Sequence, residues 1–210
     1  RIAGFVIGQA EGFSYAVGDA TGAFAPDSEV ALYRRHLVLL DSGVCVLFDE
    51  LQLASKRNQI WNHFSWTVHS DPQQHRVDAD GPHLIWRPRD GEEPRPDLHL
   101  VEPQKFAWEH ALLEGTDGTA MLAAHRVIRP EWYADHMHVL ALMSPNGDSD
   151  TPHVLRRPDL LAVAADDQTM VGFALSPLTA ENLSELTPEE LGSRRLLLFG
   201  ADRPIVVPRS

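Results

Sequence analysis

Residues 18–70 read GDATGAFAPDSEVALYRRHLVLLDSGVCVLFDELQLASKRNQIWNHFSWTVHS, and the spacing of apolar and turn residues along them decides the fold class. Val30 to Leu40 is one long apolar-rich run. Asp41, Ser42 and Gly43 supply turn chemistry, and Val44 to Leu51 runs back, which predicts a β-hairpin. From Ile60 to Ser70 the side chains alternate. Ile60, Phe64, Trp66 and Val68 point one way, while Trp61, His63, Ser65, Thr67 and His69 point the other. Period two predicts a strand with a core face and a polar-aromatic face. Asn62 interrupts the apolar row, at a bulge or a sheet end.

The same pattern continues outward. Ile2 to Ile7 is a short apolar run bounded by Gly4 and Gly8, and Phe13 to Asp19 sets Phe13, Tyr15 and Val17 against Ser14, Ala16 and Gly18. Beyond Ser70, residues 71–81 read as a polar loop, and the segment RPRDGEEPRP (87–96) separates strands at His83–Trp86 and Leu98–Val101. Further strands are predicted at Thr119–Ile128, Met137–Met143, Leu160–Ala165, Met170–Leu175 and Leu196–Phe199, punctuated by Asp-Gly and Pro-Asn-Gly turns. One helix is predicted: Thr187 caps it, Pro188 takes its first position, Glu190 completes a capping box and Gly192 ends it. Residues 180–186 are a second helical candidate. The sum is an all-β chain of about a dozen strands, an antiparallel two-sheet β-sandwich of supersandwich type with one or two short helices near the C-terminus. It reads as a single domain over residues 1–210.

Composition narrows the function classes. A chain of 210 residues that is 43% hydrophobic can bury a substantial core. Its net charge of -12 argues against nonspecific nucleic-acid binding, which needs a dense basic surface. All basic residues except Lys56 and Lys105 are Arg, the side chain suited to bidentate carboxylate recognition, although coding bias is the plainer reading of that preference. Cys45 is the only cysteine, so no intrachain disulfide forms, and its place in VCVLF predicts a buried small hydrophobe. No run approaches the length of a membrane-spanning helix. The chain opens at Arg1 inside a strand-like run, which is expected of a segment cut from a longer polypeptide.

Strong catalytic motifs are absent: no GxSxG, HExxH, GxxxxGK[ST] or CxxC. Three weaker features remain. His136 and His138 share a strand face about 7 Å apart, close enough to share a metal, against the plainer reading of a solvated strand edge. His63 and His69 share the polar face of their strand but lie near 20 Å apart, so they cannot chelate one ion. With Trp61 they could line a sugar-binding groove, as against a sheet face covered by another domain. Arg34 and Arg35 point to opposite faces; cross-strand pairing with Asp49 and Glu50 is the plain reading, and a functional Arg35 the sharper one. Asp19 is expected to close an Asx turn rather than bind an ion.

In order, YAVGDATGAF, LYRRHLVLL, VLFDEL, WTVHS and HVLALMSP resemble the C-terminal β-sheet domain of heparinase II/III-like polysaccharide lyases, a group that includes heparan sulfate and oligoalginate lyases. The resemblance covers Phe13–Ser70 well and the rest loosely. It implies a parent enzyme, a carbon-oxygen lyase, in which an N-terminal α/α toroid packs on the β-sheets and the cleft between them holds an acidic polysaccharide. Cleavage would proceed by β-elimination at a uronic acid: the carboxylate is neutralised, a base removes the C5 proton and an acid protonates O4. The proton-transfer Tyr and His, and the ligands of a structural metal found in some members, would lie before Arg1. No catalytic residue and no cofactor is therefore assigned to this segment, which is expected to be inactive alone. The substrate-binding candidates are His69, His63, Trp61 and Arg35. Other partners expected are the toroid of the same polypeptide, with no nucleic acid and no membrane span. Periplasmic or secreted placement is implied by the resemblance, with the cytoplasm left open. Two readings compete: a noncatalytic carbohydrate-binding module carried by the five tryptophans, and a metal-dependent β-barrel enzyme using His136 and His138.

Overall fold

The computed structural model describes residues 4–24, 30–54, 66–89, 96–114, 121–128, 136–147, 151–177, 183, 185–200 and 204–207. Strands dominate them: β1 (Gly4–Ala10), β2 (Phe13–Asp19), β3 (Val30–Leu40), β4 (Cys45–Leu53), β5 (Trp66–Ser70), β6 (His75–Asp80), β7 (His83–Pro88) and β8 (Asp97–Glu102). They continue as β9 (Ala107–Glu114), β10 (Met121–Ile128), β11 (His136–Ser144), β12 (Val154–Arg157), β13 (Leu160–Ala164), β14 (Thr169–Ala174), β15 (Arg195–Phe199) and β16 (Pro204–Val207).

The organising hairpin forms as its sequence predicts. Leu39 pairs with Cys45 across the turn, the Gly43 N–H donates to the Leu40 carbonyl at 2.9 Å, and Gly43 takes φ +86°, which a side chain would resist. The predicted helix is α1 (Pro188–Leu191). Its capping box is reciprocal: the Glu190 N–H donates to Thr187 Oγ1 at 3.2 Å and the Thr187 N–H donates to Glu190 Oε2 at 2.8 Å. Asp19 closes its Asx turn, with Oδ1 accepting from the Thr21 N–H at 2.9 Å.

The sandwich is an eight-stranded sheet in the order β1-β2-β3-β4-β11-β8-β7-β6 facing a five-stranded sheet β12-β13-β14-β15-β16. Alternation supplies both faces of the large sheet. Phe13, Val38, Val46, Phe48 and Leu140 interleave with Val163, Val171, Phe173, Leu197 and Phe199 of the five-stranded sheet. On the opposite face, Leu47, Leu84, Trp86, Leu98, Leu100 and Val139 pack with Trp66, which belongs to a third sheet, β5-β10-β9. Behind the five-stranded sheet, Leu160, Met170, Leu196 and Leu198 are covered by Leu191 of α1. The molecule is therefore layered: helix, five strands, eight strands, three strands.

Several expectations change. The all-β sandwich stands, but the small third sheet adds a layer to it, and the strands exceed a dozen. Residues 71–81 are not all loop: 75–80 form β6, an edge strand whose sequence HRVDAD shows a single large apolar residue, Val77, paired with Trp86, beside the small Ala79. Asp78 holds this edge by accepting from Arg76 Nε at 2.9 Å and Arg87 Nε at 2.7 Å. Among the described strands one pair departs from antiparallel pairing: β14 and β15 run parallel, because α1 lies between them in the chain and returns it to the same end of the sheet. Cys45 is half-buried rather than buried. Residues 60–65 of the predicted strand Ile60–Ser70, and most of 180–186, lie outside the described residues.

Candidate functional site

Strand β5 keeps the predicted division of faces. Trp66 and Ser70 are buried and His69 is exposed, so His69 points away from the layer interface. Trp61 and His63, expected beside it, lie outside the described residues. Arg35 sits on β3 opposite Asp49, and Arg34 opposite Glu50, the cross-strand pairing its sequence suggested. Among the described residues, the hydrogen bonds of Arg35 go to Asp49 and Tyr33 rather than to His69.

Arg35 instead belongs to a tight polar knot. Its Nε and Nη2 each donate to the Asp49 carboxylate at 2.7 Å. The same carboxylate accepts from Trp66 Nε1 at 3.0 Å and from the Tyr33 hydroxyl at 3.3 Å. Asp49 is 1% exposed; four donors are what make a buried carboxylate tolerable. Burial and the Asp49 charge push Tyr33 up to about 12, and the Arg35 guanidinium is held protonated by its bonds to Asp49. The knot ties the large sheet to the small one. Arg35 keeps 43% of its side chain exposed.

A second cluster was not foreseen. Ser70 Oγ lies 3.0 Å from His125 Nε2, and His125 Nδ1 lies 2.7 Å from His110 Nδ1. These side chains come from β5, β10 and β9. Together with His75, Arg76 and Arg89 they line a cavity of about 310 Å³ between the small sheet and β6. Burial, reinforced by His110 and His69, pushes the His125 pKa below the ordinary imidazole range. The sequence signal was present but scattered, since the residues that meet here are far apart in the chain.

Two further histidine groups are structural in their surroundings. His83 Nδ1 bonds Asp97 Oδ2 at 2.9 Å, and the His83 and His99 rings sit 4.3 Å apart. Burial raises the Asp97 pKa and pushes that of His99 down to about 4. Of the HxH pair, His136 is exposed while His138 stacks on Phe48 at 5.4 Å. Burial lowers the pKa of His138. Among the described residues no group of three or more His, Cys, Asp or Glu side chains converges as a metal site.

No family model matches the sequence, and no curated protein matches it either. Solved structures do match in shape. A crystal structure of heparinase III aligns with a TM-score of 0.53 at 12% identity, over 82% of this chain and 28% of that one. A methylated-lysine form of a heparinase III gene product aligns with a TM-score of 0.50 at 12% identity, over 81% of this chain and 27% of that one. The chain thus spans little more than a quarter of the length of these structures, and what it shares with them is a heparinase-like β fold.

Proposed function

We propose that this chain is the β domain of a polysaccharide lyase that cleaves uronate-containing glycans by β-elimination, with an α/α toroid of the same polypeptide forming the other wall of the cleft. The observation that supports this reading is the agreement of sheet architecture with heparinase III across 82% of the chain. Within the proposal, His69 on the exposed face of β5 and the half-exposed Arg35 contact the acidic substrate, joined by His63 and Trp61. Asp49 fixes the Arg35 guanidinium so that its orientation needs no ordering at binding. The proton-transfer groups lie on the toroid, so this segment alone has no elimination activity.

The test follows absorbance from unsaturated uronate ends on alginate, heparan sulfate and related uronate glycans. This chain alone is expected to give no rise, and the polypeptide that includes the toroid is expected to give one. Silence of the longer polypeptide across the whole panel overturns the reading. A sugar-binding module would need exposed indoles. Among the described tryptophans, Trp66 and Trp86 are buried and Trp108 is half-buried, with its ring N–H committed to the Gly81 carbonyl.

A further inference from the structure

We propose that Ser70 is a nucleophile toward carboxyl esters, activated by His125 and positioned through His110, and that its cavity takes small acyl groups carried on an alcohol that bears an anionic group. This chemistry is distinct from β-elimination, which forms no covalent bond to the protein, and it does not rest on the lyase reading.

The strand register assembles the group. Val68 pairs with His125 and His125 pairs with His110, so these side chains form one row across three strands. Ser70, two residues beyond Val68, shares their face. The resulting chain runs Ser70 Oγ, His125 Nε2, His125 Nδ1, His110 Nδ1, with links of 3.0 and 2.7 Å. Both ring nitrogens of His125 are used, which fixes its orientation. In the competent arrangement the Ser70 hydroxyl donates to His125 Nε2, the His125 Nδ1–H donates to His110 Nδ1, and the remaining proton of His110 sits on Nε2. The Ser70 hydroxyl, both ring nitrogens of His125 and the Nδ1 of His110 are all paired in that arrangement with both rings neutral. It is the nucleophile, base and orienting group that activated hydroxyls require.

Two surroundings distinguish this from a merely satisfied core pair. His125 is 5% exposed, and that burial favours the unprotonated ring that can act as a base. Ser70 and His125 nevertheless open onto the 310 Å³ cavity, within the size range of ligand sites, whose lining also includes Arg76 and Arg89. Arg76 is ion-paired with Asp78, whereas Arg89, whose Nε donates to the Pro72 carbonyl at 2.8 Å, brings positive charge to the cavity wall on a chain whose net charge is -12. Arg89 also favours an alcohol bearing a carboxylate or sulfate.

The steps balance without a further reagent except water. Ser70 Oγ bonds to the ester carbonyl carbon as its proton passes to His125 Nε2. The carbon–alkoxide bond then breaks, the alcohol leaves with that proton, and the acyl group remains on Ser70. Water gives a proton to His125 Nε2 as its oxygen bonds to the acyl carbon; the carbon–Oγ bond then breaks, His125 returns that proton to Ser70 Oγ, and the carboxylic acid leaves.

The test treats the 210-residue chain with a fluorophosphonate probe, locates the adduct by peptide mass spectrometry, and measures hydrolysis of p-nitrophenyl acetate. An adduct on Ser70 and a saturable hydrolytic phase are expected. Exposed imidazoles contribute only an unsaturable background, so the saturable phase is the readout. Ser70→Ala should remove the adduct and lower that phase by about a hundredfold or more, and His125→Gln should do the same. Ser70→Cys keeps the shape of the site and should retain an acyl burst, which separates lost chemistry from lost folding. His110→Gln should lower kcat more than KM and alter the pH profile, as a positioning residue would. Absence of any Ser70 adduct, or hydrolysis unchanged in Ser70→Ala, overturns the proposal. Neither outcome involves uronate elimination, so the two readings fail separately.

Discussion

His36 is enclosed by aromatic rings, 5.8 Å from Phe48 and 5.6 Å from Phe173, and its Nδ1 has no hydrogen-bond partner among the described residues. Burial, and to a lesser extent the Arg34 charge, pushes its pKa down to about 4 from an ordinary 6.5. His99, 8% exposed, is pushed down to about 4 in the same way. A folded pKa below the unfolded one means that the unfolded chain binds more protons between the two values. The neutral rings therefore contribute fully above pH 6.5, and that stability drains as pH falls toward 4, by about 3 kcal/mol per ring. Asp97, whose carboxyl is raised by burial, acts in the opposite sense. Urea unfolding should show a lower midpoint at pH 4.5 than at pH 7, and His36→Phe should flatten part of that slope. A pH-independent midpoint in the unmodified chain would show the rings to be solvated. At this scale the sequence was partly legible: Arg34 and Arg35 against Glu50 and Asp49 followed from hairpin register alone. The Trp66 indole on Asp49 did not, because it crosses between two sheets.

Elements whose signal is local were readable, and those held by neighbours were not. The hairpin carries its own turn, and α1 carries its own cap. Strand β6 has one large apolar residue and is held by Arg76 and Arg87 on Asp78. Strand β9, AWEHALLE, has no clean alternation and is defined by its register with β10. The hairpin turn allows a direct check. In Gly43→Ala the added Cβ would adopt a left-handed φ of +86° and lie 3.3 Å from Pro145 Cγ, so stability should fall by about 1 kcal/mol or more. Gly81→Ala, at φ +53° with nothing within 4 Å, should show the backbone strain alone. A Gly43→Ala midpoint no lower than that of Gly81→Ala would mean that Pro145 yields freely.

Across the whole molecule, one face of the large sheet is only half covered. A cross-strand row runs Ile7, Ala16, Leu37, Leu47, Ala141, Leu100. Leu47, Ala141 and Leu100 are buried beneath the three-stranded sheet, whereas Ile7 is 68% exposed and Leu37 38%, with Leu39 beside them at 50%. Scattered apolar residues are ordinary on a surface, but a contiguous row on a flat sheet is not. The chain should bind a hydrophobic dye such as ANS in its folded state. Leu39→Thr should reduce that signal while changing stability by no more than about 0.5 kcal/mol. Dye fluorescence that is absent in the unmodified chain would show the row to be covered.

The sequence by itself determined what depends on near neighbours: strand periodicity, the Asp41–Gly43 turn, the helix cap, the Asp19 turn and an all-β fold. Local sterics and hydrogen bonding set those features, and they need no knowledge of distant residues. Tertiary structure decided what depends on register and layering: the third sheet, the parallel β14–β15 pair, the four donors on Asp49, and the convergence of Ser70, His110 and His125. Those residues are spread over 55 positions of chain, and only the pairing of β5, β10 and β9 brings their side chains onto one face.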